Sequence, residues 1–112
     1  MLIDKPWGSE EILEMNPNYV LKRLLMKQGH RCSLQYHEQK CETIYVLNGV
    51  LKISIGPSVE SLSDRLFRVG ESVTLLPGIV HRMEAVEEAV YLEASTSQLD
   101  DVVRLSDDYH RQ

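Results

Sequence analysis

The sequence predicts an all-β fold in one small domain spanning residues 1–112, a barrel or a sandwich. Three observations predict it. Apolar and polar residues alternate with period two through most segments, β-branched residues recur, and Gly, Pro or Asn interrupts the chain at short intervals. Short strands separated by such turns close into barrels or pack as sandwiches.

Tyr19–Met26 reads as a strand, and Cys32–His37 as another. Thr43–Leu47 and Val50–Ile55 flank Asn48-Gly49, the dipeptide that most strongly predicts a hairpin. Gly56-Pro57 ends that pair, and the polar stretch 58–64 reads as a loop. Leu66–Val69 and Ser72–Leu76 are short strands around Gly70-Glu71. After Pro77-Gly78, Val80–Val86 and Ala89–Ser95 form a last predicted hairpin around Glu87-Glu88. Only the tail predicts helix, with Asp100 capping a short turn over 101–104.

A chain of 112 residues buries roughly two-thirds of its unfolded surface, enough for a core. Its net charge of −5 and the lack of a basic stripe speak against nucleic acid as a partner. No apolar run approaches the roughly 20 residues of a membrane helix. The first residues, Met1 to Pro6, have no signal-peptide pattern, so a cytoplasmic protein is expected. Cys32 and Cys41 form no C-x-x-C pair and are expected as free thiols.

The informative residues are polar ones that interrupt strands. In Cys32–His37, Ser33, Gln35 and His37 share one face. Glu42 opens the next strand, and His81 opens a later one directly after a turn. Two imidazoles, a carboxylate and an amide oxygen converging in a small barrel make a divalent-metal site. Imidazole suits Zn, Fe, Ni and Cu, while the oxygen donors admit Mn or Co.

The spacing of these residues resembles the cupin superfamily. Gly29, Gln35, His37, Glu42 and Gly49 fall at the intervals of the first cupin motif, with Gln35 in place of its first His. Gly70, Gly78 and His81 fall at positions of the second, while Pro77 sits one place late and Ala85 replaces its Asn. The resemblance implies a double-stranded β-helix (jelly-roll) barrel holding one divalent metal on Gln35, His37, Glu42 and His81. Zn leads, with Mn, Co, Fe and Ni as alternatives.

A narrower resemblance runs nearly the whole length, to the cupin domain of type II mannose-6-phosphate isomerases. That domain is usually fused behind a mannose-1-phosphate guanylyltransferase. The resemblance rests on Lys5-Pro6-Trp7-Gly8, Lys22-Arg23-Leu24, Ser33-Leu34-Gln35-Tyr36-His37, His81-Arg82-Met83-Glu84 and the closing phrase Asp100-Asp101-Val102-Val103-Arg104 with Asp107, Tyr109 and Arg111. It implies aldose–ketose isomerisation of mannose 6-phosphate, with a metal polarising the C1 and C2 oxygens, a base moving the proton and a cation holding the phosphate. Small cupins of this kind usually dimerise, so a homodimer is implied as well.

Candidates exist for each role. Arg104 matches the Arg of the closing phrase and is assigned to catalysis or substrate binding; otherwise it is a cation at a helix C-terminus. Glu93 is a candidate base or else a surface carboxylate. Lys22 (catalytic) and Arg23 (substrate-binding) alternate, so only one of them points inward. Ser33 and Lys40 complete the substrate-binding set; Lys40 stands where the family often has Arg. The stretch Ser95–Leu99 departs from the family phrase, and His110 replaces a glycine. No guanylyltransferase half accompanies the barrel, so nucleotidyl transfer is not expected. Two alternatives remain: a non-catalytic sugar-binding cupin, and an Fe-dependent oxygenase using His37, His81 and Glu42.

Overall fold

The computed structural model describes residues 1–110, so Arg111 of the closing phrase lies outside the described residues. Nine strands follow in chain order: β1 (Leu2–Lys5), β2 (Gly8–Met15), β3 (Val20–Met26), β4 (Leu34–Tyr36), β5 (Glu42–Gly56), β6 (Ser63–Phe67), β7 (Ser72–Leu75), β8 (Val80–Ser95) and β9 (Val103–Ser106). All pairings are antiparallel. The long strands β5 and β8 pair along most of their length. The other edge of β8 takes β3 opposite 89–95 and β4 at His81; the other edge of β5 takes β6 and β7. The sheet therefore curls around one interior.

Both expected hairpins correct to single bent strands. Asn48-Gly49 lies inside β5, and Glu87-Glu88 lies inside β8. The register shifts at 46–51 of β5, where bulges let both strands bend together. Gly49 has φ +79°, and a Cβ there would lie 2.0 Å from the carbonyl oxygen of Glu88. Only glycine combines that conformation with so close an approach.

The predicted C-terminal helix is also corrected. Residues 103–106 form β9 against β4, with Arg104 opposite Gln35. No helix follows Asp100 for it to cap, and Asp101 is held by tertiary contacts instead. Its carboxylate accepts the backbone N–H groups of Glu38, Gln39 and Lys40. The open edge of β4 and the β-branched Val102-Val103 favour a strand there. At the other end, β1 and β2 form a hairpin whose acidic sequence concealed its strand period.

The interior has an apolar level and a polar level. Trp7, Met26, Ile44, Leu51, Phe67 and Tyr91 are buried in the apolar core. Lys22, Lys40, Glu42, His81 and Glu93 are buried as well. Cys32 is buried, and both cysteines are free.

Candidate metal centre

His37, Glu42 and His81 each place a ligand atom within 4.8 Å of the other two. They come from distant parts of the chain. His37 follows β4, Glu42 opens β5, and His81 sits in β8 directly opposite Gln35. The Nε2 atoms of His37 and His81 both lie 3.2 Å from Glu42 Oε1.

Backbone carbonyls set the ring orientation. The Nδ1 atom of His37 is 2.5 Å from the carbonyl oxygen of Asp101, and that of His81 is 3.1 Å from the carbonyl oxygen of Ile79. A carbonyl oxygen can only accept, so each Nδ1 carries the proton and each neutral ring offers its Nε2 lone pair to Glu42. This is the orientation of metal-ligating histidine.

Three acceptors then face one another in a buried place. One proton shared between His37 and Glu42 relieves part of the conflict. Burial lowers the His37 pKa, but the Glu42 hydrogen bond and charge raise it overall. Burial likewise pushes Glu42 up, yet His37, His81 and Lys40 hold its carboxyl far below the usual carboxylate range. His81 Nε2 and Glu42 Oε2 still have no hydrogen-bond partner. Lys40 Nζ lies 3.3 Å from Glu42 Oε2, near enough for charge attraction but not aligned as a hydrogen bond. Unpartnered buried acceptors are costly, and a divalent cation satisfies them at once. The residues fit a metal.

The remaining candidates divide. Gln35 and Arg104, on paired strands, line the same cavity as His37 and Glu42. Ser33 is fully buried and does not line that cavity; its hydroxyl donates to Gln35 Oε1 at 2.5 Å, so it supports the amide instead of reaching a substrate. Lys22 points inward, 2.5 Å from Glu10 and 3.9 Å from Glu93. Arg23 is corrected: strand alternation sends it to the outer face, where it is exposed and pairs with Glu11 of β2. Lys40 is buried with its Nζ 3.5 Å from Glu93. Glu93 is buried among these lysines, not on the surface. Burial and the nearby charge of Glu42 push its pKa up to about 7, against the pull of Lys40 and Lys22.

Three participants went unseen in the sequence. Glu10 is buried and pairs with both Lys22 and Lys5, so ion pairs run unbroken from Lys5 through Glu10, Lys22, Glu93 and Lys40 to Glu42. The hydroxyl of Tyr91 is buried at the cavity without a hydrogen-bond partner. Asp101 holds the loop between the ligands. The alternation in β8 that makes Glu93 inward also makes Tyr91 inward, a signal present in the sequence. Glu10 offers none, because Glu11 beside it is equally acidic.

The Mannose-6-phosphate isomerase C-terminal family matches residues 2–107. This chain belongs to that family. Among its curated relatives, Mannose-1-phosphate guanylyltransferase of Salmonella montevideo is 30% identical, over 96% of this chain and 23% of the relative. Xanthan biosynthesis protein XanB of Xanthomonas campestris pv. campestris is 28% identical with the same coverage. The chain thus spans about a quarter of these relatives' length. Solved structures with the same fold include KdgF from Halomonas sp. (TM-score 0.79, 16% identity, 89% of this chain and 90% of that one) and an RmlC-like cupin from Shewanella frigidimarina (TM-score 0.79, 14% identity, 89% and 86%). The fold of this family member is a cupin barrel.

The relatives correct one expectation. Those of Salmonella montevideo and Escherichia coli are named for guanylyl transfer on mannose 1-phosphate, a different reaction from the aldose–ketose isomerisation implied by sequence resemblance. Glu93, the candidate base, lines the cavity but lies within ion-pair distance of both Lys22 and Lys40.

Proposed function

We propose that this chain is a metal-holding cupin module that binds a small sugar phosphate of the mannose series without isomerising it. The convergence of His37 Nε2, His81 Nε2 and Glu42 Oε1 carries the reading. Gln35 is the proposed fourth ligand, and Zn the leading metal, with Mn, Co, Fe or Ni as alternatives. When bound, the cation supplies a Lewis acid able to hold sugar oxygens.

The cavity around that centre favours an anion. Lys5, Lys22, Lys40 and Arg104 line it against the carboxylates of Glu10, Glu42 and Glu93, and a divalent cation adds two further charges. Arg104 is the proposed phosphate contact, since guanidinium matches phosphate oxygens in pairs. Tyr91, Lys22 and Lys40 present donors to hydroxyl groups. A cytoplasmic location belongs to the same reading. So does a homodimer, for which the exposed Leu2, Leu13, Tyr45 and Leu47 offer apolar surface. Among the described residues no helix is long and apolar enough to cross a membrane.

Calorimetric titration of mannose 1-phosphate and mannose 6-phosphate into metal-loaded and metal-free protein tests this. Saturable binding of either that requires metal, stronger than that of inorganic phosphate and without turnover, is expected. Binding equal in both protein forms, or oxygen uptake by the iron-loaded protein, would contradict it.

A further inference from the structure

The segment after β8 leads into β9, which pairs with β4. One of its residues, Asp101, meets the metal centre in two ways. Its carboxylate accepts the N–H groups of Glu38 (3.0 Å), Gln39 (2.7 Å) and Lys40 (2.9 Å), which form the loop between His37 and Glu42. Its backbone carbonyl accepts the Nδ1 proton of His37. The same residue therefore fixes the path of the chain between two ligands and the tautomer of one of them.

We infer that Asp101 is the positioning residue of this centre, locking the tail, the loop 38–40 and the His37 ring into the geometry that takes up the cation. This rests on the metal reading above. Glu38 and Gln39 are exposed and β4 ends at Tyr36, so the loop's other holds lie at its ends: the His37 carbonyl accepts from Gly78 N–H, and Lys40 pairs with Glu42 and Glu93. Without the carboxylate the three N–H groups turn to water, the loop loosens, and the Asp101 carbonyl leaves His37. The ring is then free to place its proton on either nitrogen, and only one of those tautomers offers Nε2. Losing such an outer partner typically weakens metal binding about 10- to 100-fold. Linkage makes the effect mutual, so bound metal also holds the tail down.

The test compares wild type with Asp101→Ala, Asp101→Asn and Asp108→Ala. Asp108 anchors the same tail to Arg31, at 2.6 Å, away from the ligands, so its removal reports tail docking alone. Zn(II) affinity is read by competition with a chromophoric chelator. The His37 tautomer is read by nitrogen NMR on metal-free protein at pH 9, where neutral imidazole prevails. The inference expects Asp101→Ala to weaken Zn(II) at least tenfold and to mix the His37 tautomers, Asp101→Asn to lose less because one acceptor oxygen remains, and Asp108→Ala to stay within about twofold. It is overturned if Asp101→Ala binds Zn(II) within twofold of wild type with His37 still protonated at Nδ1, or if Asp108→Ala loses as much. Should Asp101→Ala not fold, Asp101→Asn decides by the same readouts. If wild type takes up no metal, the metal reading fails, while the tautomer still decides the role of Asp101.

Discussion

Tyr91 has its hydroxyl in a buried place with no partner, while its ring packs in the core. Tyr91→Phe removes an unsatisfied donor and keeps the shape. It should raise the stability of the ligand-free protein by about 1 kcal/mol. It should also lower affinity for a bound mannose phosphate about fivefold, at unchanged metal content. Chemical denaturation and calorimetry measure the two effects; a loss of stability with unchanged affinity would make the hydroxyl structural. Glu93 gives a pH prediction. Its folded pKa, about 7, lies above the ordinary carboxylate value of 4.5. The folded state therefore binds the proton more tightly. The stability from that proton is full below pH 4.5 and is lost as pH rises through 7. Glu93→Gln should flatten this decline in metal-free protein, measured as melting temperature against pH. At this scale the spacing of Gln35, His37, Glu42 and His81 was readable in the sequence. The choice between Lys22 and Arg23 was not, because both have apolar neighbours and only the pairing of β3 with β2 and β8 decides which side is inside.

The strands β5 and β8 show why local signals mislead at the scale of elements. Asn48-Gly49 is a hairpin signal in isolation, yet a bulge uses the same left-handed glycine. What distinguishes them is the partner opposite, which lies some 40 residues away in sequence. Gly49→Val should therefore cost about 3 kcal/mol or more, since it adds a Cβ against the Glu88 carbonyl and forces a β-branched residue to positive φ. Urea unfolding checks this; a loss below 1 kcal/mol would mean that the bulge can relax. The tail misled for a related reason. Asp100-Asp101 followed by apolar residues suits a helix start, but tertiary contacts claimed both the Asp101 carboxylate and the edge of β4. The loop 58–64 likewise read correctly as polar while concealing the start of β6.

Across the whole molecule, the all-β class was legible because alternation and turns recur throughout the chain, while the choice of barrel over sandwich came only from the spacing that resembles cupins. The buried charge network was not, because it draws on β1, β2, β3, β5, β8 and the loop before β5. Such a network has no sequence period. Its members depend on one another: Lys22→Ala leaves Glu10, with a side chain only 9% exposed, without its nearest cation. A loss of about 3 kcal/mol is expected, and Lys22→Ala with Glu10→Gln should recover part of it. An additive double variant would show that the pair does not couple. The proposed metal would act on the whole fold as well. At 100 times its Kd, a cation bound only by the folded state adds about 2.7 kcal/mol, a rise in melting temperature that should vanish in His81→Ala.

The central claim is that His37, Glu42 and His81 hold one divalent ion. Zn(II) loading followed by desalting and elemental analysis tests it directly, on wild type beside His37→Ala, Glu42→Ala and His81→Ala. The account predicts one ion per wild-type chain and a small fraction of that in each variant. Wild type that retains no more metal than the three variants would contradict it.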